Sequence, residues 1–298
     1  MIVIQISSLY FVDLANTRNA MFLVGESLIA TTSSFNNQIV TRNDALSQAG
    51  RLLSGDFAFK TAYASTSSAT IRSALDNHRQ RIGADLMLLL SLQGETIASS
   101  GRAAGNFSEA DGMFALPDFV EAAITEGGAA GMVSRNNAVY SVIAVPLLTP
   151  VPSAWIILGF EVNDSLINKL QEDSHADISI AAITGDHWNI NISTLEPAIQ
   201  TSLTTALNRM PTVTETTIDL NLDGTHWFTF ISQLPSWGET PLYAVLQRSG
   251  NEALAPYYRI RLVLIGLLIA ALIISIVAGG AIASSVTRPV QMLVSYAR

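Results

Sequence analysis

The 298-residue chain carries four histidines and no cysteine. Disulfides, thiolate metal sites and a cysteine nucleophile are therefore excluded. His78, His175, His187 and His226 are scattered, and none has the spacing to a second ligand that a zinc site or a catalytic triad needs. His175 and Asp177 stand two apart, as on one strand face, but an isolated pair of this kind reads as a solvated loop. Asp186-His187 falls on a turn. No GxSxG, HExxH or phosphate-binding loop occurs, so no catalytic residue, metal ligand or cofactor is expected.

Binding chemistry remains. A strand over Val139 to Leu148 would place Val139, Ile143, Val145 and Leu147 on one face, with Tyr140, Val142 and Ala144 on the other. The aliphatic face is expected to pack on a long helix. On the other, Tyr140 is expected to be joined by Ser134 and, from the next strand, by Trp155, Gly159 and Glu161. Aromatics, a hydroxyl and a carboxylate around a sheet suit a small polar or cationic ligand. Ser134, Tyr140, Trp155 and Glu161 are therefore the candidate ligand-binding residues. The same residues would serve equally as a filled core.

The elements that must position them are written twice. In the first copy, Asp85–Leu92 reads as a strand, Gln93-Gly94 as a turn and Thr96–Ser99 as the return. A helix over Asp118–Thr125 follows Pro117, then come strands over Gly131–Arg135, Val139–Leu148 and Ala154–Val162, the first two joined at Asn136-Asn137. In the second copy the strands are Asp177–Thr184, Trp188–Ile192, Thr212–Leu222, Thr225–Gln233 and Leu242–Arg248, with a helix from Pro197 to about Arg209 and a turn at Asp223-Gly224. Asn163-Asp164-Ser165-Leu166 after the first copy matches Asn251-Glu252-Ala253-Leu254 after the second, both reading as Asn-capped helix starts. The expected fold is α+β: two tandem five-stranded antiparallel units of PAS-like form behind a long N-terminal helix.

That helix runs from Leu9 to about Leu53, with Leu14, Met21, Leu28 and Phe35 seven apart, then Ile39, Leu46 and Leu53. The row could pack on the chain's own sheets or form a dimer seam, and the two readings can hold on different faces. Gly55-Asp56 breaks it, and a second helix carries Ile71, Leu75, His78 and Ile82 on one face up to Gly83. Near the other end, Leu262 to Thr287 contains no charge. About twenty apolar residues suffice to cross a bilayer, and the polar stripe of a soluble helix is missing. Its second half holds Gly279-Gly280 among alanines and serines, small residues that allow close helix packing in lipid. The uncharged opening MIVIQISSLYFV is too short to span and reads as the outer half of a truncated first membrane helix. Only 13% of residues are charged, and the net charge of -8, without a Lys/Arg cluster, argues against nucleic acid.

The long helix, the stretch RSALDNHRQRIGADLMLLLSLQGETIAS, the duplicated sheet and the exit through LQRSGNEALAPYYRIRLVL together resemble the double-CACHE, or double sensory, domains of bacterial transmembrane receptors. The tail from Ser284, with Arg288-Pro289, resembles the start of a HAMP linker. The Tyr/Arg/Trp/Asp signature of amino-acid-binding double-CACHE receptors is not found. The resemblance implies this organisation: 1–12, truncated first membrane helix; 13–83, long helix and second helix; 84–162, membrane-distal unit; 163–175, linker helix; 176–249, membrane-proximal unit; 250–261, exit helix; 262–287, membrane helix; 288–298, start of HAMP. It further implies a non-enzymatic sensor in the bacterial inner membrane, with residues 13–261 outside the cytoplasm, a homodimer, and a small-molecule ligand of unknown identity. The alternative is a structural or adhesive envelope protein anchored by the same helix.

Overall fold

The computed structural model describes residues 2–107, 113–210 and 216–296. The chain divides into two compact units, one of Ser27–Arg248 and one of Met1–Glu26 with Ser249–Arg298.

The first of these holds two sheets. Helix α1 (Ile2–Ser54) enters it and is followed by α2 (Phe57–Ala64) and α3 (Ser68–Ile82). Strands β1 (Leu86–Leu90) and β2 (Thr96–Ser100), a short 3-10 turn (Ala104–Phe107), helix α4 (Pro117–Glu126) and strands β3 (Ala129–Arg135), β4 (Ala138–Leu148) and β5 (Pro152–Glu161) make the first lobe. Helix α5 (Asp164–Ser174) leads to the second lobe, formed by β6 (Asp177–Thr184), β7 (His187–Ser193), α6 (Pro197–Leu207), β8 (Ile218–Leu222), β9 (Thr225–Gln233) and β10 (Leu242–Ser249). The strand orders are β2-β1-β5-β4-β3 and β7-β6-β10-β9-β8, one pattern shifted by five strands. The duplication is thus real at the level of topology. Both β3-β4 and β8-β9 turn through two residues of positive φ, Asn136-Asn137 and Asp223-Gly224, the geometry that a tight hairpin demands.

From Leu28 onward the heptad residues of α1 pack on the chain's own core. Leu28, Phe35, Ile39 and Leu53 are all buried, and Leu53 packs with Phe59, Ile71 and Leu75 from α2 and α3 against Ile143, Val145 and Leu147 of β4. A Cβ at Gly50 would come within 3.0 Å of Leu158 and 3.2 Å of Val145, so the helix lies close on the first sheet there. Two side-chain bonds fix its register. Ser141 Oγ in β4 donates to the buried Asn43 Oδ1 at 2.6 Å, and Asn36 Nδ2 donates to Ser232 Oγ in β9 at 3.1 Å. One helix therefore carries both lobes.

The local signals worked as read in most places. Gly83 ends α3 in the left-handed conformation, and Asn163 Oδ1 accepts the Leu166 amide at the start of α5. Four expectations are corrected. Helix α1 begins at Ile2 rather than Leu9, because the uncharged opening is continuous with it as helix. The helix expected after Gly55 is two helices, since the positive φ of Thr66 breaks the chain between α2 and α3. Asn251 does not cap its helix, because α7 (Gly250–Tyr296) already begins at Gly250. The strand expected from Thr212 starts at Ile218, and 212–215 lie outside the described residues.

In the other unit, α7 is one continuous helix through the expected exit, membrane and HAMP-start segments. Its stretch Leu262–Ala281 has mean hydropathy 3.0, with none of the window buried, and is long and apolar enough to cross a membrane. Residues 2–12 are helical, as the beginning of α1.

Candidate functional site

Strand pairing decides which candidate residues meet. Tyr140 lies opposite Glu161 on β5 and Val133 on β3, while Trp155 lies opposite Pro146. Directly paired residues share a face, so Tyr140, Trp155, Gly159 and Glu161 line one side of the first sheet. Tyr140 and Pro146 are six residues apart on β4, about 20 Å of strand, so Tyr140 and Trp155 sit at opposite ends of that side. Ser134 pairs with Val139 and faces the other side. It does not join the set. Its Oγ instead accepts a bond from Asn191 Nδ2 of the second lobe at 3.2 Å.

The Tyr140 side is filled. Leu86, Leu88 and Leu90 of β1 form its floor, and Phe107, Phe114, Leu116 and Phe119 cover it. The Phe107 ring meets Tyr140 edge-on at 5.4 Å and stacks on Phe114 at 6.2 Å. Burial raises the Tyr140 phenol above its usual pKa, the carboxylates of Glu161 and Asp85 push it the same way, and a hydrogen bond with Asn106 opposes them. Asp85 Oδ2 accepts the Glu161 amide at 2.7 Å. Trp155 Nε1 is buried and makes no hydrogen bond. The side is an aromatic core, and among the described residues Trp155 Nε1 and, at the β3 edge, Arg135 Nε are its buried donors without a partner.

The sequence did not reveal the contact that joins the lobes. Between β9 and β10 the chain 234–241 runs along the free edge of β3 as a strap. Met132 N donates to Pro235 O at 2.9 Å and Trp237 N donates to Met132 O at 2.8 Å, with Met132 and Ser236 as a parallel bridge. Trp237 Nε1 donates to Ala130 O at 3.1 Å, and the indole meets Phe119 edge-on at 5.5 Å. A Cβ at Gly131 would overlap the Trp237 indole, so only glycine lets the strap lie this close. In the sequence Gly131 stands first in the expected strand; with β3 starting at Ala129 it lies inside.

Among the histidines, His175 is the left-handed C-terminal cap of α5 rather than a strand residue. His226 Nδ1 lies 3.1 Å from Asp219 Oδ2 across an exposed hairpin. His78 is buried against the Phe59 ring, with Arg81 and Asp56 beside it. Burial lowers its pKa first, the Arg81 charge adds to that, and Asp56 opposes it. Among the described residues no cluster of metal-ligating side chains occurs. In α7, apart from the helix's own adjacent backbone, no atom of the described residues comes within 4 Å of a Cβ built on Gly279 or Gly280. Arg288 and Pro289 lie within the helical run of α7.

A sequence model described as the double sensory domain of two-component sensor kinases matches residues 24–234. The chain belongs to that family. It is a sensory module, and the reading as a structural or adhesive anchor falls away. No curated protein matches. Among solved structures, the chain is similar to the periplasmic domain of Vibrio cholerae LuxQ, with 11% identity, 74% of this chain and 99% of that one covered, and a TM-score of 0.48. It is similar to a domain of a sensory box/GGDEF family protein from Vibrio parahaemolyticus, with 11% identity, coverages of 80% and 99%, and a TM-score of 0.49. A third is the ligand-binding domain of the Pseudomonas fluorescens chemoreceptor CtaA, in complex with L-isoleucine, with 13% identity, coverages of 81% and 97%, and a TM-score of 0.46.

Proposed function

We propose that the chain is the extracytoplasmic sensory and transmembrane part of a bacterial receptor, held in the inner membrane with residues of about 13–261 outside the cytoplasm. The observation that carries this reading is a double sensory domain over 24–234 followed by the unburied apolar stretch Leu262–Ala281. Strand β10 ends at Ser249 and α7 begins at Gly250, so the second sheet is continuous in chain with the membrane helix. A displacement of that sheet is relayed along α7 to the segment at Arg288-Pro289, which starts a HAMP linker. The chain has no catalytic step of its own, and an output domain beyond the linker supplies the response. Two copies associate, with Gly279 and Gly280 as the close contact in lipid. Leu28, Phe35, Ile39 and Leu53 are already buried in the chain's own core, so dimer contacts along that part of α1 fall on its other side.

The topology is tested by placing single cysteines at Val151 and Glu172, both exposed, in a chain that has none of its own. An impermeant thiol reagent on intact cells with a permeabilised outer membrane labels both if the reading is right. Labelling only after the inner membrane is lysed overturns it.

A further inference from the structure

A cavity of about 540 Å³ opens where the strap crosses the start of α4 and the end of β3. It flanks the Tyr140 side of the first sheet: Val133 pairs with Tyr140 and Arg135 with Ala138, so both face that side. It lies at the seam between the lobes, and its wall is shared: Asp118, Ser134 and Arg135 come from the first lobe, and Trp237, Glu239 and Thr240 from the strap. That volume falls within the range of small-molecule sites.

Its charges are unspent. Arg135 Nη2 donates to Ala115 O at 2.6 Å, which pins the guanidinium, yet Arg135 Nε is buried and has no hydrogen-bond partner among the described residues. A buried donor without a partner calls for an acceptor. Two carboxylates line the same cavity, but among the described residues neither Asp118 nor Glu239 forms an ion pair with Arg135, whose hydrogen bond there goes to a backbone carbonyl. The cavity therefore holds one cation and two anions, with no ion pair joining them among the described residues. A simple anion meets a wall that sums to one negative charge, and a simple cation meets Arg135. The complement is a molecule with a negative group at one end and a positive group at the other.

We propose that this cleft binds a zwitterion with separated charges, of the size of a dipeptide, with its carboxylate on Arg135 and its ammonium between Asp118 and Glu239. The hydroxyls of Ser134 and Thr240 border the space between. Because the wall is shared, an occupant ties the strap to β3 and stabilises the seam.

The probe is the dipeptide alanylalanine, with its N-acetyl form and its C-terminal amide as single-charge controls, titrated calorimetrically into the full chain in detergent. The expected result is saturable binding of the dipeptide, with both controls weaker by about tenfold or more, as loss of a charge-assisted hydrogen bond dictates. Glu239→Gln and Asp118→Asn change exposed side chains, and each is expected to weaken the dipeptide while leaving the N-acetyl form unaffected. Arg135→Gln, with its melting temperature as the folding control, is expected to abolish binding. Equal binding of the controls, wild-type affinity in the Glu239 and Asp118 variants, or no binding of the dipeptide at all overturns the proposal. The titration reads binding alone, so its failure leaves the thiol-labelling result untouched.

Discussion

Replacing Gly131 by alanine puts one methyl group into the space that the Trp237 indole occupies. In a strand interior the exchange should otherwise help, because alanine is favoured over glycine by about 0.5–1 kcal/mol. Any destabilisation must therefore come from the strap. If Trp237 leaves, the Trp237 Nε1 bond to Ala130 O, the Trp237 amide bond to Met132 O and the Met132 amide bond to Pro235 O are lost together. Each is worth about 0.5–1.5 kcal/mol net, and the edge contact with Phe119 adds about 0.5–1.5 kcal/mol. After the backbone gain is subtracted, the expected cost is about 3 kcal/mol. For a domain of this size that lowers the melting temperature by about 6–12 °C. The assay is thermal unfolding of the full chain, paired with hydrogen exchange at the Met132 amide, which should lose its protection. A double-mutant cycle separates the cause: in a Trp237→Gly background the alanine should cost nothing. A Gly131→Ala protein with unchanged melting and a protected Met132 amide would refute the close approach.

The pH dependence follows from His78. Its pKa is lowered in the folded protein from the ordinary value of 6.5, so the unfolded chain binds the proton more readily. The stability is present in full above about pH 6.5 and is lost as pH falls through the folded value; in melts from pH 8 to 5, His78→Gln should flatten the fall below 6.5. Asn43→Ala removes the acceptor of the Ser141 hydroxyl inside the α1–sheet contact, and leaving that donor unmet should cost about 1–3 kcal/mol in denaturant unfolding, part of it recovered by adding Ser141→Ala. Gly279→Leu with Gly280→Leu should leave outer-domain melting unchanged, since beyond the helix's own adjacent backbone no described residue lies within 4 Å of a side chain there, while altering receptor output if a partner helix packs there.

The repeat was legible because its punctuation is local. Asn136-Asn137 and Asp223-Gly224 mark hairpins by their tolerance of positive φ, and Pro117 and Pro197 open the two helices. The face carrying Tyr140 was legible from alternation alone. Ser134 was misplaced because a face is set by register as well as by parity, and the β3-β4 turn pairs Ser134 with Val139 rather than Tyr140. That the face is filled could not be read, since Phe107, Phe114 and Phe119 reach it from a segment without periodicity. The strap and the cavity were hidden for a different reason. Both depend on a contact between residues more than a hundred positions apart, such as Ala130 and Trp237, which no spacing rule connects.

The lobes are a sensory module, and the strap belongs to the second sheet from which α7 continues, so on the proposed relay its undocking reaches the output. The most direct test of that claim is the activity of the full product of the natural gene in its own membrane, with the strap docked and undocked. Gly131→Ala, checked by loss of Met132 amide protection, should shift basal output and blunt the response to stimulus, and Trp237→Gly should do the same. Output and response identical to wild type, with the strap shown to be undocked, would contradict the claim.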